Sequence, residues 1–126
     1  MMSTYAFAAA AFVVGVTFLV HVFVGGRLYI RALLASDIAP NLKWMAYMTW
    51  HVGSVAFLVI GAGFAAAAAS PDLNVLALGA SVLAGSFALV AMATAIKGRM
   101  PFTRFPVIPL FGLAALLGAI GLFAPI

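Results

Sequence analysis

Cysteine is absent from this 126-residue chain, and carboxylates are scarce, because Asp37 and Asp72 are its only acidic residues. Disulfides, thiolate metal sites, carboxylate-bridged di-metal sites and acid–base catalysis by paired carboxylates are therefore excluded. Charged residues of all kinds make up only 6% of the sequence, whereas a soluble domain carries roughly 25%. A water-soluble fold is excluded for the same reason: too few polar side chains exist to cover its surface.

Apolar residues make up 67% of the chain, and the mean hydropathy is +1.29. They fall into four segments, at about 5–34, 42–69, 71–96 and 106–124. A hydrocarbon core of about 30 Å requires roughly 20 apolar residues per helix, so these segments use nearly the whole chain. The sequence predicts an all-α integral membrane protein, with residues 1–126 forming one antiparallel bundle of four transmembrane helices.

The basic residues indicate how this bundle is oriented. All six lie in or beside the first and third connections, and none lies in the second: Arg27, Arg31, Lys43, Lys97, Arg99 and Arg104. The positive-inside rule then predicts that both of these loops face the cytoplasm of a bacterial-type cell, with both termini on the other side of its inner membrane. Six basic residues divided between membrane loops form no basic face, so nucleic acid is not expected as a partner.

His21 and His51 are the only histidines, and both fall within apolar helices. An ionisable side chain inside a membrane is costly without a partner, so it marks a candidate site. At 1.5 Å per residue, His21 lies about 9 Å from Arg27 and His51 about 12 Å from Lys43. Because the first two helices run antiparallel, both imidazoles are expected at a similar depth in the cytoplasmic half of the membrane.

Matched depth is what two axial ligands of one haem iron require. Gly25 lies one turn from His21 and offers bare backbone beside a flat macrocycle, while Thr17 and Ser54 are placed to orient the imidazoles. The sharpest hypothesis is therefore a small subunit that binds b-type haem through His21 and His51 and transfers electrons. No residue suggests a nucleophile, so the chain is not expected to be an enzyme on its own.

One geometric difficulty accompanies the haem hypothesis. Helices joined by a short loop usually pack 8 to 10 Å apart, whereas an iron between two imidazoles holds the backbones about 12 Å or more apart. The two helices would have to lie diagonally in the bundle, or two protomers would have to share the site. A copper ion bound by His21, His51 and the thioether of Met48 is a second, less favoured metal site.

Two alternative hypotheses for the histidines require no redox cofactor. In the first, the histidines are structural hydrogen-bonding groups of an accessory subunit that packs against a larger membrane complex or forms a homo-oligomer. Small-residue helix faces suit such contacts, and they comprise Ser81, Gly85, Gly112, Ala115, Gly118, Ala119 and Gly121. In the second, the histidines contact a lipid or quinone headgroup. A transporter ranks last, because no helix is interrupted near the middle of the membrane.

Overall fold

The computed structural model describes residues 1–124, and this part of the chain is helical without any strand. Its helices are α1 (Met2–Ala35), α2 (Pro40–Ala69), α3 (Pro71–Lys97) and α4 (Val107–Phe123). The first three are long and apolar enough to cross a membrane, and α4 is a shorter apolar helix. The protein is therefore a helical membrane protein. The last two positions of the predicted domain lie outside the described residues.

The four helices form a ring in which each packs against two neighbours. Close contacts join α1 to α2, α2 to α3, α3 to α4 and α4 back to α1. One end of the ring carries the α1–α2 loop and the α3–α4 connection, with all six basic residues in or beside them. We call this the basic end. The other end carries the N-terminus, the turn at Ser70 and the last residues of α4.

Helix α1 is not α-helical along its whole length. A π-helical stretch, Val20–Ile30, separates the α-helical parts Met2–Leu19 and Arg31–Ala35. The sequence predicted a helix past Arg27 and Arg31 but not this widening. π-Helical turns are rare in proteins and occur frequently at functional sites. Here the stretch contains His21 and the two adjacent glycines Gly25 and Gly26.

The packed core lies in the half of the ring away from the basic end. Its buried side chains are Phe7, Ala10, Val14, Phe57, Ile60, Phe64, Ala67, Ala77, Ala80, Ala84, Phe111 and Ala114. Toward the basic end the bundle is looser, and no residue of the π-helical stretch is buried. This stretch also approaches α2 much less closely than Met2–Leu19 does. The backbones of α1 and α2 are therefore further apart at the basic end than in the core, and side chains occupy the space between them.

Two phenylalanine rings fill notches left by glycines of α4. A Cβ atom added at Gly118 would lie 2.6 Å from Cε1 of Phe64 and would also overlap the Ser81 hydroxyl. One added at Gly121 would overlap the ring of Phe7. The small residues of α4 thus let helices approach each other, as they commonly do in membrane proteins.

The small-residue face expected on α4 makes close contacts at some of its positions and not at Gly112. Gly112 has no heavy atom within 4 Å of an added Cβ, so this residue is not a close contact inside the bundle. Ala115 is half-buried and packs against α3, where its Cβ is 3.8 Å from a Cβ added at Gly85. The tightest positions are Gly118 and Gly121, one and two turns further along.

Candidate functional site

The His21 imidazole lies between two aromatic side chains of α2. Its ring stacks on the indole of Trp50, with centroids 3.8 Å apart and planes 15° from parallel. On another side it meets Phe57, with centroids 4.8 Å apart and a 56° tilt. His21 is at the start of the π-helical stretch, so its ring fills the gap where α1 separates from α2.

The Trp50 indole depends on a glycine of α1 for its space. A Cβ added at Gly25 would lie 2.6 Å from Cη2 of Trp50. The Tyr29 ring stacks on the same indole, with centroids 4.9 Å apart. Tyr29, Trp50, His21 and Phe57 therefore form one continuous series of ring contacts, which we call the aromatic column. It runs from the basic end to the core, where Phe57 meets Phe111 at 4.6 Å.

Hydrogen bonds near His21 converge on one backbone carbonyl. The His21 Nε2 atom lies 3.4 Å from the carbonyl oxygen of Trp50, which accepts a long hydrogen bond when this nitrogen carries the proton. The Ser54 hydroxyl donates to the same oxygen at 3.2 Å. Thr17 is buried, and its hydroxyl donates to the Val13 carbonyl within its own helix at 2.7 Å. Ser54 and Thr17 thus bond to backbone carbonyls rather than to an imidazole.

His51 lies on a different surface, the exposed outer side of α2. Its ring meets the edge of Tyr47, with centroids 4.5 Å apart and planes at 62°. A shallow, open depression of about 630 Å³, here called the groove, lies on this side, and it is lined by residues of α2 alone: Tyr47, Met48, His51, Val52, Val55 and Ala56. We call this surface the α2 outer face. Met48 thus shares a surface with His51, but His21, the other ligand of the copper hypothesis, does not lie on it, and copper binding stays a prediction.

The two histidines lie on different sides of α2, because Trp50 and His51 are consecutive residues and project in different directions. Consecutive residues of an α-helix point about 100° apart. Trp50 projects against His21, so His51, the next residue, is turned toward the outer side. Helices α1 and α2 are neighbours in the ring rather than diagonal partners. The diagonal arrangement that would have given haem its space is therefore absent from the described residues.

A haem held by both histidines of one chain would need substantial rearrangement. The bare backbone at Gly25 is covered by the Trp50 indole, and the His21 ring is stacked on that indole. Within residues 1–124, no group of three or more His, Asp or Glu side chains is placed to hold a metal ion. The two-histidine haem site stays a prediction, and the geometry favours a packing role for His21.

Sequence reasoning assigned no site role to Trp50, Tyr29 or Phe57. Tryptophan is a residue type that collects at membrane interfaces, but in this structure Trp50 stacks on His21 instead. The sequence does contain a sign of the contact between Trp50 and His21. Because His21 and His51 are expected at a similar depth, Trp50, which is next to His51, is expected at that depth too. Gly25 and Tyr29 are four residues apart, a spacing that brings both to one side of α1 and against the same indole.

Comparison of the chain with protein-family models, with curated proteins and with solved structures finds no match. Function is therefore inferred from the geometry of the chain itself.

Proposed function

We propose that this protein is a small accessory subunit of a membrane complex, and that it docks a transmembrane helix of a partner subunit on the α2 outer face. The proposal rests on His51. Its imidazole is exposed on a surface whose other lining residues are apolar apart from the Tyr47 hydroxyl. A polar ring facing hydrocarbon is costly unless a hydrogen-bonding group meets it. A partner helix with such a group at the same depth would satisfy it.

In this proposal His21 has a structural task. Its stacking on Trp50 and its long hydrogen bond to the Trp50 carbonyl tie α1 to α2 where their backbones separate. Aromatic pairs contribute about 0.5 to 1.5 kcal/mol beyond the area they bury, and interhelical hydrogen bonds in membranes average about 0.6 kcal/mol. These two contacts hold α2 against α1, and the α2 outer face therefore stays accessible to a partner.

The proposed subunit spans the inner membrane four times. Helix α4 has 17 residues, which correspond to about 26 Å and reach the lower limit for a span. The six basic residues gathered at one end support an arrangement with the basic end in the cytoplasm and both termini outside. Membrane lipids would then cover the remaining exposed apolar surface.

The proposal is tested by purification from native membranes in a mild detergent. We expect the wild-type chain to bring a membrane-embedded partner with it, and His51→Leu to lose that partner while the chain itself stays folded. Thr49→Val is the matched control, because Thr49 is also exposed on α2 but does not line the groove. Retention of the partner by His51→Leu, or its equal loss from both variants, would contradict docking through this face.

Haem binding is the second candidate function, and the open surface around His51 is the observation that favours it. The described residues leave one side of this ring uncovered, next to the apolar groove and the Met48 thioether. Two protomers, or this chain and a partner, would then supply the two axial ligands. An absorption spectrum of the native protein distinguishes the candidates, since a Soret band that His51→Leu abolishes would support haem. A lipid or quinone headgroup at His51 is a third candidate.

A further inference from the structure

Helix α3 ends at the basic end in a Schellman motif. The Met100 N–H donates to the Ala95 carbonyl at 2.9 Å, and the Arg99 N–H donates to the Ile96 carbonyl at 3.1 Å. This pattern requires the residue between Gly98 and Met100 to adopt the left-handed conformation. That residue is Arg99, with φ of 50°, and it is the one non-glycine residue with positive φ in the described range.

Arginine is an unfavourable choice for this position. The left-handed conformation costs an L-residue with a Cβ atom roughly 1–2 kcal/mol, and glycine avoids that cost. Glycine is the usual residue here, and the chain places Gly98 one position earlier, where φ is −79°. Glycine at position 99 would relieve this backbone strain. Because the chain has arginine there instead, we expect the arginine side chain to have a function.

The side chain is not needed to cap the helix. Backbone N–H groups of Gly98, Arg99 and Met100 bond to the Thr94, Ile96 and Ala95 carbonyls. The end of α1 differs, because there Lys43 Nζ donates to the carbonyls of Leu34 and Ser36, at 3.1 and 2.6 Å. Lys43 therefore serves the fold, whereas Arg99 is exposed at an end that is already closed.

The surroundings of Arg99 combine positive charge with exposed apolar side chains. Ile96, Met100 and Phe102 are 62%, 42% and 52% exposed, and Lys97, Arg99 and Arg104 lie among them along the chain. Apolar side chains enter the outer hydrocarbon while guanidinium and ammonium groups stay at the level of the phosphates. Acidic residues are absent from 97–104. The segment is therefore complementary to an anionic phospholipid.

We propose that Arg99 binds the phosphate of an anionic phospholipid headgroup, with Lys97 and Arg104 on the same loop adding charge. Guanidinium groups match phosphate geometry with two parallel N–H donors. The Schellman motif fixes where the Arg99 backbone leaves the helix, so the side chain starts from a defined point at the membrane surface. Binding at this site is independent of docking on the α2 outer face.

The test uses the full chain in nanodiscs that contain equal amounts of phosphatidylglycerol and phosphatidylcholine. After mild detergent extraction, native mass spectrometry counts the lipids of each class that remain bound. Losing the proposed phosphate contact of Arg99 should cost about 1 kcal/mol, so Arg99→Gln should lower the ratio of bound phosphatidylglycerol to phosphatidylcholine about fivefold, and Arg31→Gln, which leaves that contact in place, should lower it less. Arg31→Gln, which removes an exposed arginine of α1 at the same basic end, is the matched control.

Arg99→Gly separates the lipid site from the stability of the helix end. We expect this variant to unfold at a higher temperature than wild type, because glycine relieves the strain, and to lose the lipid preference as Arg99→Gln does. The site would be overturned if Arg99→Gln kept the wild-type ratio or if Arg31→Gln lowered it equally. It would also be overturned if millimolar inorganic phosphate displaced the bound lipid, which would indicate a general anion site.

Discussion

Replacing Gly118 by alanine tests the packing of the ring at its tightest point. The added methyl group would lie 2.6 and 3.0 Å from two carbon atoms of the Phe64 ring, whereas carbon atoms in favourable contact are about 3.5–4.0 Å apart. Phe64 is 0% exposed and belongs to the buried core. Core residues surround the ring, so either the ring or the helix must shift by about 1 Å to restore a favourable contact distance.

The loss of stability caused by Gly118→Ala can be isolated by comparing it with the same substitution at a second glycine of α4. Gly112→Ala adds the same methyl group where no heavy atom lies within 4 Å. Both substitutions gain up to about 1 kcal/mol of helix propensity, and this gain cancels in the comparison. The remaining difference is overpacking, which costs about 1–3 kcal/mol. We therefore expect Gly118→Ala to be less stable than Gly112→Ala by that amount.

Reversible unfolding in mixed micelles, followed by circular dichroism as the denaturing detergent fraction rises, measures this difference. A second measurement isolates the part due to the Phe64 ring, since Phe64→Leu removes those ring atoms and leaves the overlap with the Ser81 hydroxyl in place. In the Phe64→Leu background, Gly118→Ala should cost less than it does in wild type. Equal stability of the two alanine variants would refute the ring packing described here.

Three further outcomes follow from the fold and the candidate sites. Gly25→Ala should displace the Trp50 indole and change its fluorescence, while Gly26→Ala, which has no heavy atom within 4 Å, should not; equal spectra would argue against the aromatic column. Lys43→Met should destabilise the protein by about 1–3 kcal/mol, because two carbonyls at the end of α1 lose a charged donor, and an unchanged unfolding midpoint would contradict that role. A periplasm-active reporter fused after α4 should be active, and activity of a cytoplasmic reporter there would reverse the proposed orientation.

The helical membrane class was predictable from composition because it depends on averages over many residues. Long apolar segments and a nearly complete lack of charge leave few other folds, and the breaks at Pro40 and Pro71 mark where α2 and α3 begin. The depth of a residue in the membrane was also predictable, since it follows from the rise per residue of a helix. Such properties do not require knowing which side of a helix faces its neighbour.

The direction of each side chain was not predictable, and this explains what the sequence missed. The helices are apolar on all sides, so hydrophobic periodicity gives no inward face on which to place His21, Trp50 or His51. The π-helical stretch adds a further rotation that no simple pattern signals. For the same reason the sequence did not distinguish Gly118 and Gly121, where α4 makes close contacts, from Gly112, where it makes none, since all three belonged to the expected small-residue face.

Photo-crosslinking in native membranes tests docking on the α2 outer face most directly. A photoreactive residue at Val52 sits in the groove, and one at Val82 of α3 serves as control, because both valines are 59% exposed and differ only in location. We expect a crosslink to a membrane-embedded partner protein from Val52 but not from Val82, and its loss in His51→Leu. Crosslinks to lipid alone from both positions would contradict the proposed function.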